Sequence, residues 1–194
     1  VVGYGTTTVK DATGSLRLHI EALLTTGLVN SPMHGSQIRV STGNFVSARP
    51  IGVVDGVDYK HTGVVRKIDA EGITKQLSDG NIALLSPIGY SKTGEVFNLS
   101  TEDVATQTAI ALKADKLITF TAFDGLLDGH NKLIRSCDLS TIKRLLKNTK
   151  RHKQHIALSA ILNSIDGGVE RCHCINYESE TALLAELFTR DGAG

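Results

Sequence analysis

The sequence predicts an α/β domain built on an open, mostly parallel sheet, and three observations carry that prediction. From residue 69 onward, short apolar runs alternate with helical patterns, as strands joined by crossover helices do. One of those runs, 82–85, is continuously apolar, and 117–121 reads as a second buried strand, which suits strands covered on both faces. Residues 51–68, by contrast, are rich in Val and carry Gly52, Gly56 and Gly63. That is hairpin chemistry, so a small antiparallel element near 37–68 is expected beside the parallel strands.

In chain order, the first element is an amphipathic helix over about 11–28. Leu16, Ile20, Leu23, Leu24 and Leu28 gather on one helical face, and Asn30-Ser31-Pro32 ends it. Residues 37–41 are a short strand, and Gly43-Asn44 turns into a second at 45–48. Residues 69–77 form a short helix, and 82–85 a buried strand. Ser100 or Thr101 starts a helix carrying Val104, Ala105, Ala109, Ile110 and Leu112, which leads to the strand at 117–121. Helices near 139–146 and 155–165, a strand near 172–176 and a last helix near 181–188 complete the series. No repeat, low-complexity tract or domain-separating linker interrupts it.

The 194 residues carry 21 Lys+Arg against 20 Asp+Glu, for a net charge of +1. Such a balance supplies no global field for nucleic acid or an anionic membrane. Aromatics make up 5% and Trp is absent, against stacking platforms for single strands. Three Cys cannot make a disulfide framework and point to a reducing cytosol. No apolar run reaches membrane-spanning length, and Val1 opens no basic-then-apolar signal segment.

Ligands of open parallel sheets gather beyond the carboxyl ends of strands, so the loops there hold the candidate chemistry. Residues 86–95, followed by a helix start at Ser100, could present backbone amides to an anion, or could be a surface connection and helix cap. They contain neither Gly-x-x-x-x-Gly-Lys-Ser/Thr nor Gly-x-Gly-x-x-Gly. A second loop follows Thr121, where Phe123-Asp124-Gly125 has a different order from the kinase Asp-Phe-Gly triplet. The third, 188–194, reads as a helix C-cap at Gly192.

Two further features read as structure. The basic stretch at Lys143, Arg144, Lys147, Lys150, Arg151, His152 and Lys153, with Leu145 and Leu146 interleaved and no aromatic beside it, reads as a solvated helix face or mobile loop in preference to a nucleic-acid contact, because charge runs usually remain in water. Cys172 and Cys174 point to one face of a strand and His173 to the other. Without a second ligand pair they are buried strand residues and not a zinc site. No Gly-x-Ser-x-Gly elbow supports a nucleophilic serine.

Longer strings narrow the reading. They are Ser41-Thr-Gly-Asn-Phe, Gly52-Val-Val-Asp-Gly-Val-Asp-Tyr, Arg66-Lys-Ile-Asp and Phe97-Asn-Leu-Ser-Thr-Glu-Asp-Val-Ala-Thr-Gln. Further on come Leu112-Lys-Ala-Asp-Lys-Leu-Ile, Gly168-Val-Glu-Arg-Cys-His and Ala182-Leu-Leu-Ala-Glu-Leu-Phe-Thr-Arg-Asp-Gly. From about Val9 to its end, the chain resembles the amino acid kinase-like domain of the bacterial N-acetylglutamate synthase family (amino-acid acetyltransferases, within the acetylglutamate kinase superfamily).

The resemblance implies a three-layer acetylglutamate kinase-like fold. It divides the chain into the remainder of a substrate-type lobe at 1–68 and a nucleotide-type lobe with an arginine-binding C-terminal part at 69–194. It implies that an acetyltransferase domain, absent here, follows residue 194 and moves acetyl from acetyl-CoA to L-glutamate, the first step of arginine biosynthesis. This chain would then hold no catalytic residue, cofactor or metal. Its role would be to bind L-arginine as feedback inhibitor in a cytosolic homo-oligomer.

In that family an acidic position, matched by Glu186, receives the effector's guanidinium, a planar fork suited to a carboxylate. Lys116 matches a basic position near the effector's carboxylate. His173, Phe188 and the turn at Arg190, Asp191 and Gly192 resemble the rest of that pocket. Ser41, Asn44, Asn98 and Glu102 match a vestigial substrate or nucleotide site.

The rival function within the fold is ATP-dependent phosphorylation of a carboxylate, which needs cations around the phosphoryl group and a carboxylate to orient them. Kinases of the family resemble a pattern of Asn and, four residues later, Asp; here Asn98 is followed by Glu102. The family's N-terminal glycine-rich strand and its lysine are not matched, and residues 1–8 lack the arginine-bearing strand. The expectation is therefore no phosphorylation of N-acetylglutamate. A stand-alone amino-acid sensor is the alternative of another class.

Overall fold

The computed structural model describes residues 6–122, 126, 134, 136–149, 152–179 and 181–188. The chain divides into two compact units, residues 1–108 and 109–194.

In the first unit, helix α1 (Thr6–Thr25) precedes β1 (Val40–Ser41), which pairs in parallel with β6 (Ile82–Ala83). A second sheet has the order β5-β2-β7-β8, formed by β2 (Val46–Pro50), β5 (Gly63–Ile68), β7 (Ile88–Tyr90) and β8 (Val96–Asn98). β2 runs antiparallel to β5, with a bulge at Ser47/Ala48, and parallel to β7. Chain on both sides of residue 68 therefore shares one sheet. β3 (Val53–Val54) and β4 (Val57–Asp58) make a separate hairpin. Helix α2 (Ala70–Ser78) starts where the Asp69 carboxylate accepts the Gly72 N–H at 3.1 Å, satisfying an N-terminal donor that the helix cannot. Val46, Ala48, Ile68, Ile73 and Phe97 are buried in this unit.

In the second unit, β9 (Lys116–Thr121) and β10 (Arg171–Asn176) form a parallel pair, with helices α4 (Leu139–Asn148) and α5 (His152–Asp166) in the crossover. Helix α3 (Thr101–Leu112), whose residues fall on both sides of the division at 108, precedes β9, and α6 (Ala182–Phe188) follows β10. Asp138 caps α4 by accepting the Thr141 N–H at 2.9 Å. Those hydrogen bonds from Thr141, and one from Ser140, hold the Asp138 carboxyl below its ordinary pKa. Ile142, Leu145, Ala157, Leu158 and Ile161 pack with Cys174 into the core, and Cys172 borders it. One face of β10 is thus closed by α4 and α5.

The α/β architecture is as expected, with parallel pairs at β1/β6, β2/β7 and β9/β10. Four local expectations need correction. The first helix ends at Thr25, whose hydroxyl donates to the Glu21 carbonyl at 2.7 Å, so Leu28 is outside it. Its inward residues are Ile20 and Leu24, whereas Leu16 and Leu23 are exposed, because the leucine stripe is wider than the face that finds a partner. The run at 82–85 yields only a two-residue strand paired on one side, with Ile82 at 42% exposure. Residues 86–95 are not a plain surface connection. They build the antiparallel β7/β8 hairpin, which enlarges the antiparallel part beyond 37–68.

The fourth concerns the basic helix. Lys143, Arg144 and Lys147 are solvated, as expected, but Leu145 belongs to the buried core. Lys150 and Arg151, the Lys153 side chain and residues 123–125 lie outside the described residues.

Candidate functional site

Parallel register sets the geometry of the site. Arg171 lies opposite Lys116, and His173 opposite Ile118. Alternate strand residues share a face, so Lys116, Arg171 and His173 are on the face opposite the one on which Cys172 and Cys174 meet the core. Helix α6 reaches that face with an unusual pattern: Ala182 and Glu186 are its buried residues, whereas Leu184, Leu187 and Phe188 are exposed. The helix buries its acid and leaves its leucines outside.

The Glu186 side chain is only 2% exposed, and one of its oxygens, Oε1, receives two donors. The Lys116 ammonium lies 2.9 Å from it, and the same ammonium is 3.3 Å from the Glu186 backbone carbonyl. His173 Nδ1 approaches the same Oε1 at 2.9 Å. A buried carboxylate is costly unless paired and hydrogen-bonded, and these partners meet that requirement.

Burial holds the His173 imidazole below its ordinary pKa. Glu186 pulls the other way, and Lys116 and Arg171 reinforce the depression. The ion-pair distance alone would suggest an imidazolium. Desolvation and two neighbouring cations outweigh a carboxylate that is already shared, so His173 is neutral near pH 7 and donates its Nδ1–H to Glu186.

Three of the sequence-predicted effector residues therefore come together, with Lys116 and His173 both on Glu186. Phe188 is not among them: its side chain is 81% exposed, because the register that buries Ala182 and Glu186 turns it outward. Arg190 and Gly192, with Asp191, lie outside the described residues.

Ser41, Asn44, Asn98 and Glu102 all fall in the first unit. Glu102 accepts a hydrogen bond from the Ser100 hydroxyl at 2.8 Å at the start of α3. Its neighbour Asp103 accepts the Val65 N–H at 3.1 Å and so ties α3 to β5. Asn98 is in β8, where its N–H donates to the His61 carbonyl at 2.8 Å. Asn44 lines a cleft of about 440 Å³ with Thr42, Ser86, Lys10 and Arg17. The two α1 cations in that wall escaped the sequence reading. Their signal is spacing, since Lys10 and Arg17 are seven residues apart and share a helical face. Among the described residues no His/Cys/Asp/Glu cluster could hold a metal ion, and no helix is long and apolar enough to cross a membrane.

A model of the amino acid kinase family matches residues 5–176. The chain is 53% identical over 186 residues to the amino-acid acetyltransferase of Ectopseudomonas mendocina (strain ymp) and 54% identical over 186 residues to that of Azotobacter vinelandii (strain DJ / ATCC BAA-1303). Each alignment takes in 96% of this chain but 43% of the relative, so the chain spans less than half the length of these curated relatives. Among solved structures, N-acetylglutamate synthase from Neisseria gonorrhoeae complexed with coenzyme A and L-arginine matches with a TM-score of 0.89. The two are 33% identical, over 98% of this chain and 45% of that one. The same enzyme complexed with coenzyme A and N-acetyl-glutamate matches with a TM-score of 0.86, over 96% of this chain. The family resemblance read from the sequence is borne out.

Proposed function

The chain belongs to the amino acid kinase family, and from that premise we propose that it is the arginine-binding regulatory domain of an N-acetylglutamate synthase. The observation that carries this reading is the convergence of Lys116 and His173 on the buried Glu186 carboxylate. A buried carboxylate matches the planar, always-charged guanidinium, which can donate two parallel N–H bonds. The Lys116 ammonium is the complementary partner for the effector's α-carboxylate. L-arginine is thus gripped at both ends and acts as feedback inhibitor. Support also comes from the relatives being amino-acid acetyltransferases and from a solved neighbour being complexed with L-arginine.

In the parent protein, L-glutamate and acetyl-CoA are the substrates, and the amino group of glutamate takes the acetyl group. The parent is a cytosolic homo-oligomer, and arginine acts by favouring one arrangement of this domain against the acetyltransferase part. That action requires different arginine affinities in two states.

Carboxylate phosphorylation is the weaker reading. Glu102 stands where the kinase pattern has Asp and is engaged by Ser100, and residues 86–95 are a hairpin instead of a phosphate loop. Calorimetry and thermal unfolding with L-arginine test the main reading. A ligand selective for the folded state stabilises it by about 2.7 kcal/mol at a hundredfold excess over Kd. Absence of both heat and thermal shift refutes it.

A further inference from the structure

We draw no further inference here: the strongest candidate, the cleft of the first unit that Lys10 and Arg17 of α1 line together with Thr42, Asn44 and Ser86, falls at the substrate or nucleotide site already matched through Asn44 and so restates a ligand pocket of the amino acid kinase family.

Discussion

The Lys116 ammonium and the Glu186 carboxylate, 70 residues apart in sequence, meet at 2.9 Å with the carboxylate almost wholly withdrawn from water. Breaking a buried pair strands a charge and is costly, whereas replacing both partners with apolar side chains can be neutral. Lys116→Met should lower stability by about 2 kcal/mol, below the usual ~3–5 kcal/mol for a fully buried pair because a quarter of the lysine side chain still reaches solvent. Adding Glu186→Leu should recover most of that loss. Urea unfolding of both singles and the double gives the coupling. Additive losses would mean that the contact contributes little.

His173 makes the second unit sensitive to acid. Burial, aided by Lys116 and Arg171, keeps its folded pKa below the ordinary 6.5, so the unfolded chain takes up the proton first as pH falls. Its contribution to stability is complete above pH 6.5 and is lost as pH drops through the lower folded value. Unfolding free energy should therefore decline as pH falls below about 6.5, where the unfolded imidazole starts to take up its proton. His173→Gln should flatten that decline. An equally steep profile in the variant would assign the acid sensitivity to other groups.

Legibility in the sequence followed the range of the interactions. Asp69 and Ser100 could be read as helix starts because capping is settled within four residues. Strand alternation likewise separated His173 from Cys172 and Cys174. The β7/β8 hairpin is hidden in the sequence because glycines and hydroxyls suit a surface connection or an anion-facing loop as well as a tight turn. Ser91, Thr93 and Glu95 instead bond one another across the turn, and Gly94 supplies a φ of +84°. The run at 82–85 misled because apolarity in a row says nothing of how many neighbours a strand finds. For Glu186, periodicity marked an acid inside an apolar helix, but which cations it meets is decided by the β9/β10 register. Only the resemblance to the synthase family brought Lys116, His173 and Glu186 together before the fold did.

Two glycines should respond to alanine with opposite sign. A Cβ on Gly89 would sit 2.6 Å from the Ala48 Cβ and 2.8 Å from Leu99 Cδ1, and the Ala48 atom is fixed to its backbone. Gly89→Ala should cost about 1–3 kcal/mol through overpacking of the β2/β7 contact. Gly14, inside α1, has nothing within 4 Å of its would-be Cβ, so Gly14→Ala should stabilise by up to about 1 kcal/mol through helix propensity. Thermal melts of the two variants suffice, and a destabilised Gly14→Ala would contradict the open space beside α1.

The cysteines offer a chemical check on the second unit's core. Burial, then the neighbouring Cys172 and Cys137, pushes the Cys174 thiol up to about 12. Cys172 and Cys137 are raised too, by burial first and, for Cys137, by the adjacent Asp138 charge. Only the thiolate alkylates, so at pH 8 about one Cys174 in ten thousand is reactive at any instant. The site is also covered, at 7% exposure. Native protein treated with iodoacetamide should label Cys137 first and leave Cys174 intact, while protein in denaturant should label all three at similar rates. Mass spectrometry of the peptides reads the order. Native labelling of Cys174 at the denatured rate would mean that α4 and α5 do not close over β10.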